Sequence, residues 1–298
     1  MRSMIGEPRV VEAGRGATWW AHGFHILKSS FWTWIGIMII YIVLSMLMTA
    51  VTSVVPFLGN VGFWLLTPVF MGGLMIGCQS IENGGELRVA HLFEGFQGTH
   101  FVPLMIIGAL NIALMLGVAA ITAAGLFGTL TLAQMIAPGA SGDPLEALRG
   151  SPMFTGTGVL TGVLVLVLLT AFTMLNWFAP ALVALRGATA FEAMKLSFLA
   201  CLRNWAPFLV YGLIGVAISV ALTFIFGAGA AMVGAGVLMG ASDLATGIGA
   251  ILGLVVLFIV GFAIVAVVLG PIVFGSLYSG YKDTLGSDDT TLGNPAYQ

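Results

Sequence analysis

Apolar residues in this chain do not alternate with polar ones as in a soluble fold; they run together in six long blocks. These cover 31–55, 61–81, 101–126, 159–182, 208–233 and 246–273. A helix needs about 20 apolar residues to cross a bilayer's hydrocarbon core, and each block supplies that length. None contains Asp, Glu, Lys or Arg. The pattern predicts an all-α, polytopic membrane helix bundle with six transmembrane helices.

Shorter segments with a helical period lie between the blocks. They place Trp20, Phe24, Leu27 and Phe31 on one face, then Val89, Leu92, Phe93 and Phe96, then Phe191, Met194, Phe198 and Leu202. Each leads into a polar and aromatic junction: Ser30-Phe31-Trp32, Thr99-His100-Phe101-Val102-Pro103 and Asn204-Trp205-Ala206-Pro207. There a polar side chain can cap orphan amides and proline is tolerated in the first turn. The second block of each pair carries a proline, Pro68, Pro180 or Pro271. The rhythm predicts three repeats within one membrane domain, 1–283, each an amphipathic interfacial helix followed by a helical hairpin. The repeats run near 17–82, 87–187 and 189–283, and a three-fold pseudo-symmetric bundle would follow. Within the hairpins, 56–60 reads as a tight turn, and Gly- and Pro-bearing 127–154 and Gly/Ala-rich 226–243 read as loops. The stretch 284–298, with Asp288 and Asp289 and no apolar period, is expected to be a disordered cytoplasmic tail.

Composition agrees with lipid as the solvent: 59% of the residues are hydrophobic, 7% are charged and mean hydropathy is +1.08. Net charge is −2, so nothing global points to nucleic acid. The distribution of the cations is more informative. Arg2, Arg9, Arg15, Lys28, Arg88, Arg186, Lys195, Arg203 and Lys282 fall on one side of the predicted spans and Arg149 on the other. By the positive-inside rule this predicts both termini in the cytoplasm of a bacterial inner-membrane protein. No removable leader is expected, because Trp19, Trp20, His22, His25 and Lys28 precede any long apolar run. Cys78 and Cys201 are far apart and indicate neither a disulfide nor a thiolate metal site.

The stretch from Gly14 to about Leu110 resembles an uncharacterised proteobacterial family of six-span inner-membrane proteins. The resemblance rests on Trp19, Trp20, Gly23, Phe24, Pro56, Phe57, Leu58, Gly59, Leu66, Pro68, Val69, Gly73, Gly77, Cys78, Gly85, Leu92, Phe93, Gly95 and Phe96. A weaker match in the second half runs through Pro180, Ala181, Ser197, Asn204, Trp205, Pro207, Tyr211 and Gly212. No established catalytic or binding residues come with that family. The chain is also distantly similar to the membrane domain of membrane-anchored glycerophosphoryl diester phosphodiesterases. No counterpart of their catalytic barrel is expected here, so their activity is not implied.

Few residues carry candidate chemistry. His22 and His25, and again His91 and Glu94, are spaced as two metal ligands can be, but no further ligand accompanies them and a polar surface face explains both. H-E-x-x-H, G-x-S-x-G and P-loop signatures are absent, and no catalytic, cofactor-binding or metal-binding residue is expected. Gly73 and Gly77, Gly158 and Gly162, and Gly249 and Gly253 form G-x-x-x-G pairs suited to close helix packing or a dimer face. Asn111 and Asn176 are large polar side chains inside the blocks, so they are expected to face protein. Asn176, four residues before Pro180, is expected to serve backbone groups that the proline disturbs. Pro68, Pro180 and Pro271 would free the carbonyls of Trp64, Asn176 and Val267, and with the two asparagines they are the candidate hinge or cavity residues. The expected function is non-enzymatic, through membrane lipids, a membrane protein partner or a homo-oligomer. The alternative is a permease for a small neutral or amphiphilic solute.

Overall fold

The computed structural model describes residues 6–136, 156–240 and 244–286. Helices dominate it: α1 (Arg15–Ser29), α2 (Phe31–Val54), α3 (Pro56–Glu82), the single turn α4 (His91–Glu94), α5 (Phe101–Ile136), α6 (Gly156–Asn176), α7 (Ala179–Arg186), α8 (Ala190–Arg203), α9 (Trp205–Gly240) and α10 (Leu244–Leu285). Among the described residues six stretches are long and apolar enough to cross a membrane: Phe31–Val54, Val61–Glu82, Gly98–Gly125, Gly158–Arg186, Trp205–Gly229 and Phe258–Leu285.

The boundaries differ from the expected ones for local reasons. The 56–60 segment is helical, and the first hairpin turns at Val55 alone (φ −131°, ψ 83°). A residue before proline is pushed out of the α region, and Pro56 then starts α3 where its missing N–H costs nothing. The expected loop 226–243 continues α9 to Gly240, since alanine is a strong helix former. Residues 127–136 likewise extend α5, whereas 137–155 and 241–243, and with them Arg149, lie outside the described residues. The fourth span is two helices: α6 stops at Asn176, Trp177 and Phe178 bend, and Pro180 opens α7 in its first turn. Pro68 and Pro271, by contrast, sit inside continuous helices. Residues 284–286 are not tail. Thr284 and Leu285 end α10 and are buried, while 287–298 lie outside the described residues.

The amphipathic segments also depart from expectation. The second is only the turn α4 followed by a 3-10 turn at Gly98–His100. In α1 the buried stripe is Gly16, Trp19, Gly23, Ile26 and Leu27, with Trp20 half-buried and Phe24 exposed. The stripe is displaced by one position from the apolar face because its key members are glycines. A β-carbon on Gly16 would collide with the Pro207 carbonyl oxygen, and one on Gly23 with that of Ile272. Small residues of this kind let backbones meet where lipid offers no hydrophobic drive. So α1 lies across α9 and α10, pinned by a Trp20 Nε1–H bond to the Tyr211 carbonyl (3.1 Å).

The long helices stand side by side in the order α9, α10, α2, α3, α5, α6, each packed on the next. Below them, α7 packs on α3, and α8 on α6, α7 and α5. Trp177 and Phe178 reach Phe208, bringing the two ends of the row together. The core gathers at one end of the molecule, here the base, where α2, α5 and α9 begin and α3, α6 and α10 finish. Trp19, Trp34, Leu74, Leu92, Leu104 and Phe178 are fully buried there. Toward the opposite end apolar side chains face outward: Val54 is 81% exposed, Leu166 65% and Phe224 74%.

Candidate functional site

The base holds the only cluster of interlocking charges among the described residues. It forms because close packing at Gly23 brings α1 onto the last turns of α3 and α10. Glu82, the final residue of α3, sets one carboxylate oxygen 2.7 Å from His22 Nε2 and gives the other to the Lys282 ammonium. The next residue, Asp283, accepts from Arg15 Nε (2.8 Å) and Trp19 Nε1 (2.7 Å). That hydrogen bond and the Asp283 charge raise the Arg15 pKa above the ordinary guanidinium value.

A helix leaves its last carbonyls without partners, and α10 has these covered by two arginines. Arg186 donates to the Leu285 carbonyl (2.7 Å) and the Tyr281 hydroxyl (3.2 Å). Arg9 donates to the carbonyls of Lys282 (3.0 Å) and Gly286 (2.9 Å), and its backbone N–H to that of Thr284 (2.8 Å). Residues 7–11 thereby form an arm along the base. Asn204, expected to cap α9, holds this arm instead. Its oxygen accepts from the Val11 N–H (2.9 Å), and its amide donates to the carbonyls of Arg9 and Ala200 (both 2.9 Å).

The prolines and asparagines are not gathered into one polar site by any described hydrogen bond. Pro68, Pro180 and Pro271 are all buried. Asn111 is 6% exposed and its side-chain oxygen has no partner. Asn176 donates to the Phe172 carbonyl (2.9 Å), one turn back in its own helix, and its oxygen too is buried without a partner. The break before Pro180 is served by another residue. Ser197 of α8 accepts from the Phe178 N–H (2.9 Å) and donates to the Met174 carbonyl (2.7 Å).

The histidines differ in their surroundings. His25 is exposed, and its ring centroid lies 6.3 Å from that of His22. His91, expected on a solvated face, is 3% exposed and accepts from the Arg88 N–H (2.9 Å). Among the described residues no group of three or more His, Cys, Asp or Glu could hold a metal ion. Both cysteines are free and buried, and burial pushes the Cys201 thiol up to about 12. Gly73 and Gly77 do form a close seam, against the α4 turn at His91 and against Leu87, whereas Gly162, Gly249 and Gly253 face open space. The carboxylates of Glu82 and Asp283 are each engaged by a cation, Lys282 and Arg15 respectively.

Sequence reasoning missed Glu82, Lys282, Asp283 and Ser197 as partners. The available signal was position: Glu82 ends a span on the cation-rich side.

A probable inner membrane protein of Burkholderia thailandensis is 29% identical over 217 residues, which cover 72% of this chain and 77% of that protein. No protein-family profile matches the chain, and no solved structure does. With its six apolar helices and this relative, the chain is an integral membrane protein.

Proposed function

We propose that the chain is a non-enzymatic inner-membrane protein that works by holding lipid or a membrane protein partner along its apolar flanks, with its base and both termini on the cytoplasmic side. The observation that carries this is the contrast between a well-packed base bearing ion pairs and long helices whose apolar side chains face outward beyond it. Orientation is supported by the cations: Arg9, Arg15, Arg186, Arg203 and Lys282 all make their contacts at the base. α1 and α8 suit the bilayer surface, since each sets exposed apolar residues beside a cation, Phe24 under Lys28 and Phe191 near Lys195.

The three-repeat reading has support in a recurring contact. Gly23 meets the Ile272 carbonyl, Gly95 meets the Val69 carbonyl, and Ser197 meets the Phe178 N–H. Each of these small residues precedes a phenylalanine (Phe24, Phe96, Phe198), and each touches backbone within two residues of Pro271, Pro68 or Pro180. The rhythm shared with phosphodiesterase membrane domains fits the same reading.

A permease is favoured by one observation, the buried and unpartnered oxygens of Asn111 and Asn176, which could bind a solute donor. Purification in mild detergent followed by native mass spectrometry separates the two. Retained lipid or a stoichiometric protein supports the proposal. A bare chain that takes up neutral solutes into proteoliposomes, with Asn111→Ala abolishing uptake, overturns it.

A further inference from the structure

We infer that a cleft between α9 and α10 holds one acyl chain of a phospholipid from the leaflet opposite the base. The inference rests on the lipid-holding role and the orientation proposed above, and it names the site. The cleft measures about 480 Å³ and is lined by Ser219, Leu222, Thr223, Phe226, Phe262 and Val265 among others. That volume lies within the roughly 300–1,000 Å³ of small-molecule sites. It is a window rather than a groove. On the base side α9 and α10 are joined by the Tyr211 and Ser276 hydroxyls, 2.8 Å apart. On the far side the Phe226 ring stacks on Phe258 at 6.2 Å and rests on Gly261, where a β-carbon would strike it.

The lining chooses the occupant. The two hydroxyls in the wall are already spent within α9, Ser219 donating to the Gly215 carbonyl (2.8 Å) and Thr223 to that of Ser219 (2.8 Å). No lining group therefore asks for water, and apolar cavities stay dry. A dry void would forfeit the dispersion contacts of its walls. A partner helix, about 10 Å across, needs a groove open along its length, which the two closing contacts deny it. A flexible hydrocarbon chain can enter such a window sideways, and hydrocarbon is what surrounds these helices. Depth then selects the leaflet. Ser219 lies roughly 14 residues beyond the start of α9, about 21 Å at 1.5 Å per residue, past the middle of a hydrocarbon core about 30 Å thick.

The test uses the full chain in nanodiscs of phosphatidylethanolamine and phosphatidylglycerol, with a fraction of the lipid bearing a diazirine on its acyl chain. After illumination, adducts are assigned by residue. Adducts at 219–227 and 258–265 should exceed those at Leu166, which is 65% exposed and lies outside this cleft, by about tenfold. Thr223→Phe, which fills the window, should remove that excess and leave the Leu166 adducts unchanged; Leu222→Phe gives a second filled variant if the first does not fold. Adducts spread evenly over the flanks, or an excess that survives filling, overturns the inference. If the wild-type chain keeps lipid through mild-detergent purification yet its adducts miss the cleft, only this site fails. If it keeps none, the lipid-holding role fails with it.

Discussion

Gly23 of α1 rests on the carbonyl oxygen of Ile272 in α10 with no room between them for a methyl group, and Ser276 N would lie 2.9 Å from a β-carbon there. The residue that follows Pro271 is thus the floor on which α1 sits, and the charge lock of the base depends on that approach. Gly23→Leu should separate α1 from α10 and cost about 1–3 kcal/mol, the usual penalty for overpacking. Thermal unfolding in detergent checks it, and Gly36→Leu, where nothing lies within 4 Å of the glycine, should leave the midpoint nearly unchanged. Equal loss in both variants would refute the role of the contact.

Glu82→Gln should leave His22 and Lys282 facing a neutral amide. Because the Lys282 side chain is 37% exposed and partly screened, the expected loss is on the order of 1 kcal/mol. It should shrink in high salt. Unfolding at low and high ionic strength measures both, and a loss indifferent to salt would argue against an ionic origin.

Ser197→Ala should strand the Phe178 N–H and the Met174 carbonyl at a helix break, costing about 1–3 kcal/mol for the groups left unsatisfied. Ser219→Ala is the matched control. Its hydroxyl bonds the Gly215 carbonyl of its own helix, so its loss should be small. The two melting curves, compared side by side, decide the point.

Neither native cysteine should react with a maleimide in the folded protein, since both are buried and the Cys201 thiol titrates near 12. The wild-type chain is therefore a silent background for topology mapping. Asn83→Cys, exposed at the base, should label only from the cytoplasmic side with an impermeant reagent. Ser53→Cys, exposed at the other end of α2, should label only from outside. The opposite pattern would invert the proposed orientation.

The six spans were legible because length without charge is nearly the whole code for crossing a bilayer. What escaped was whatever depends on shape or on distant partners. The buried stripe of α1 escaped because Gly16 and Gly23 carry no hydrophobic signal. The α9 extension escaped because glycine and alanine read as loop by composition while alanine favours helix locally. Asn176 was legible as a polar residue needing a partner, yet it bonds its own helix and the break is served by Ser197 from a different element. Glu82 and Lys282 lie 200 positions apart, and nothing in the sequence pairs them.

The arm that ties Arg9 to Thr284 and Gly286 joins the first described stretch of the polypeptide to the last. A growing chain emerges N-terminal end first, so Arg9 reaches the membrane surface long before the carbonyls it must meet exist. The base consequently cannot lock while synthesis is under way, and every earlier helix must wait beside an unfinished floor. A chain that lacks the end of α10 lacks the carbonyls that Arg9 and Arg186 meet in the finished base, so closing this floor is among the last contacts the polypeptide can make.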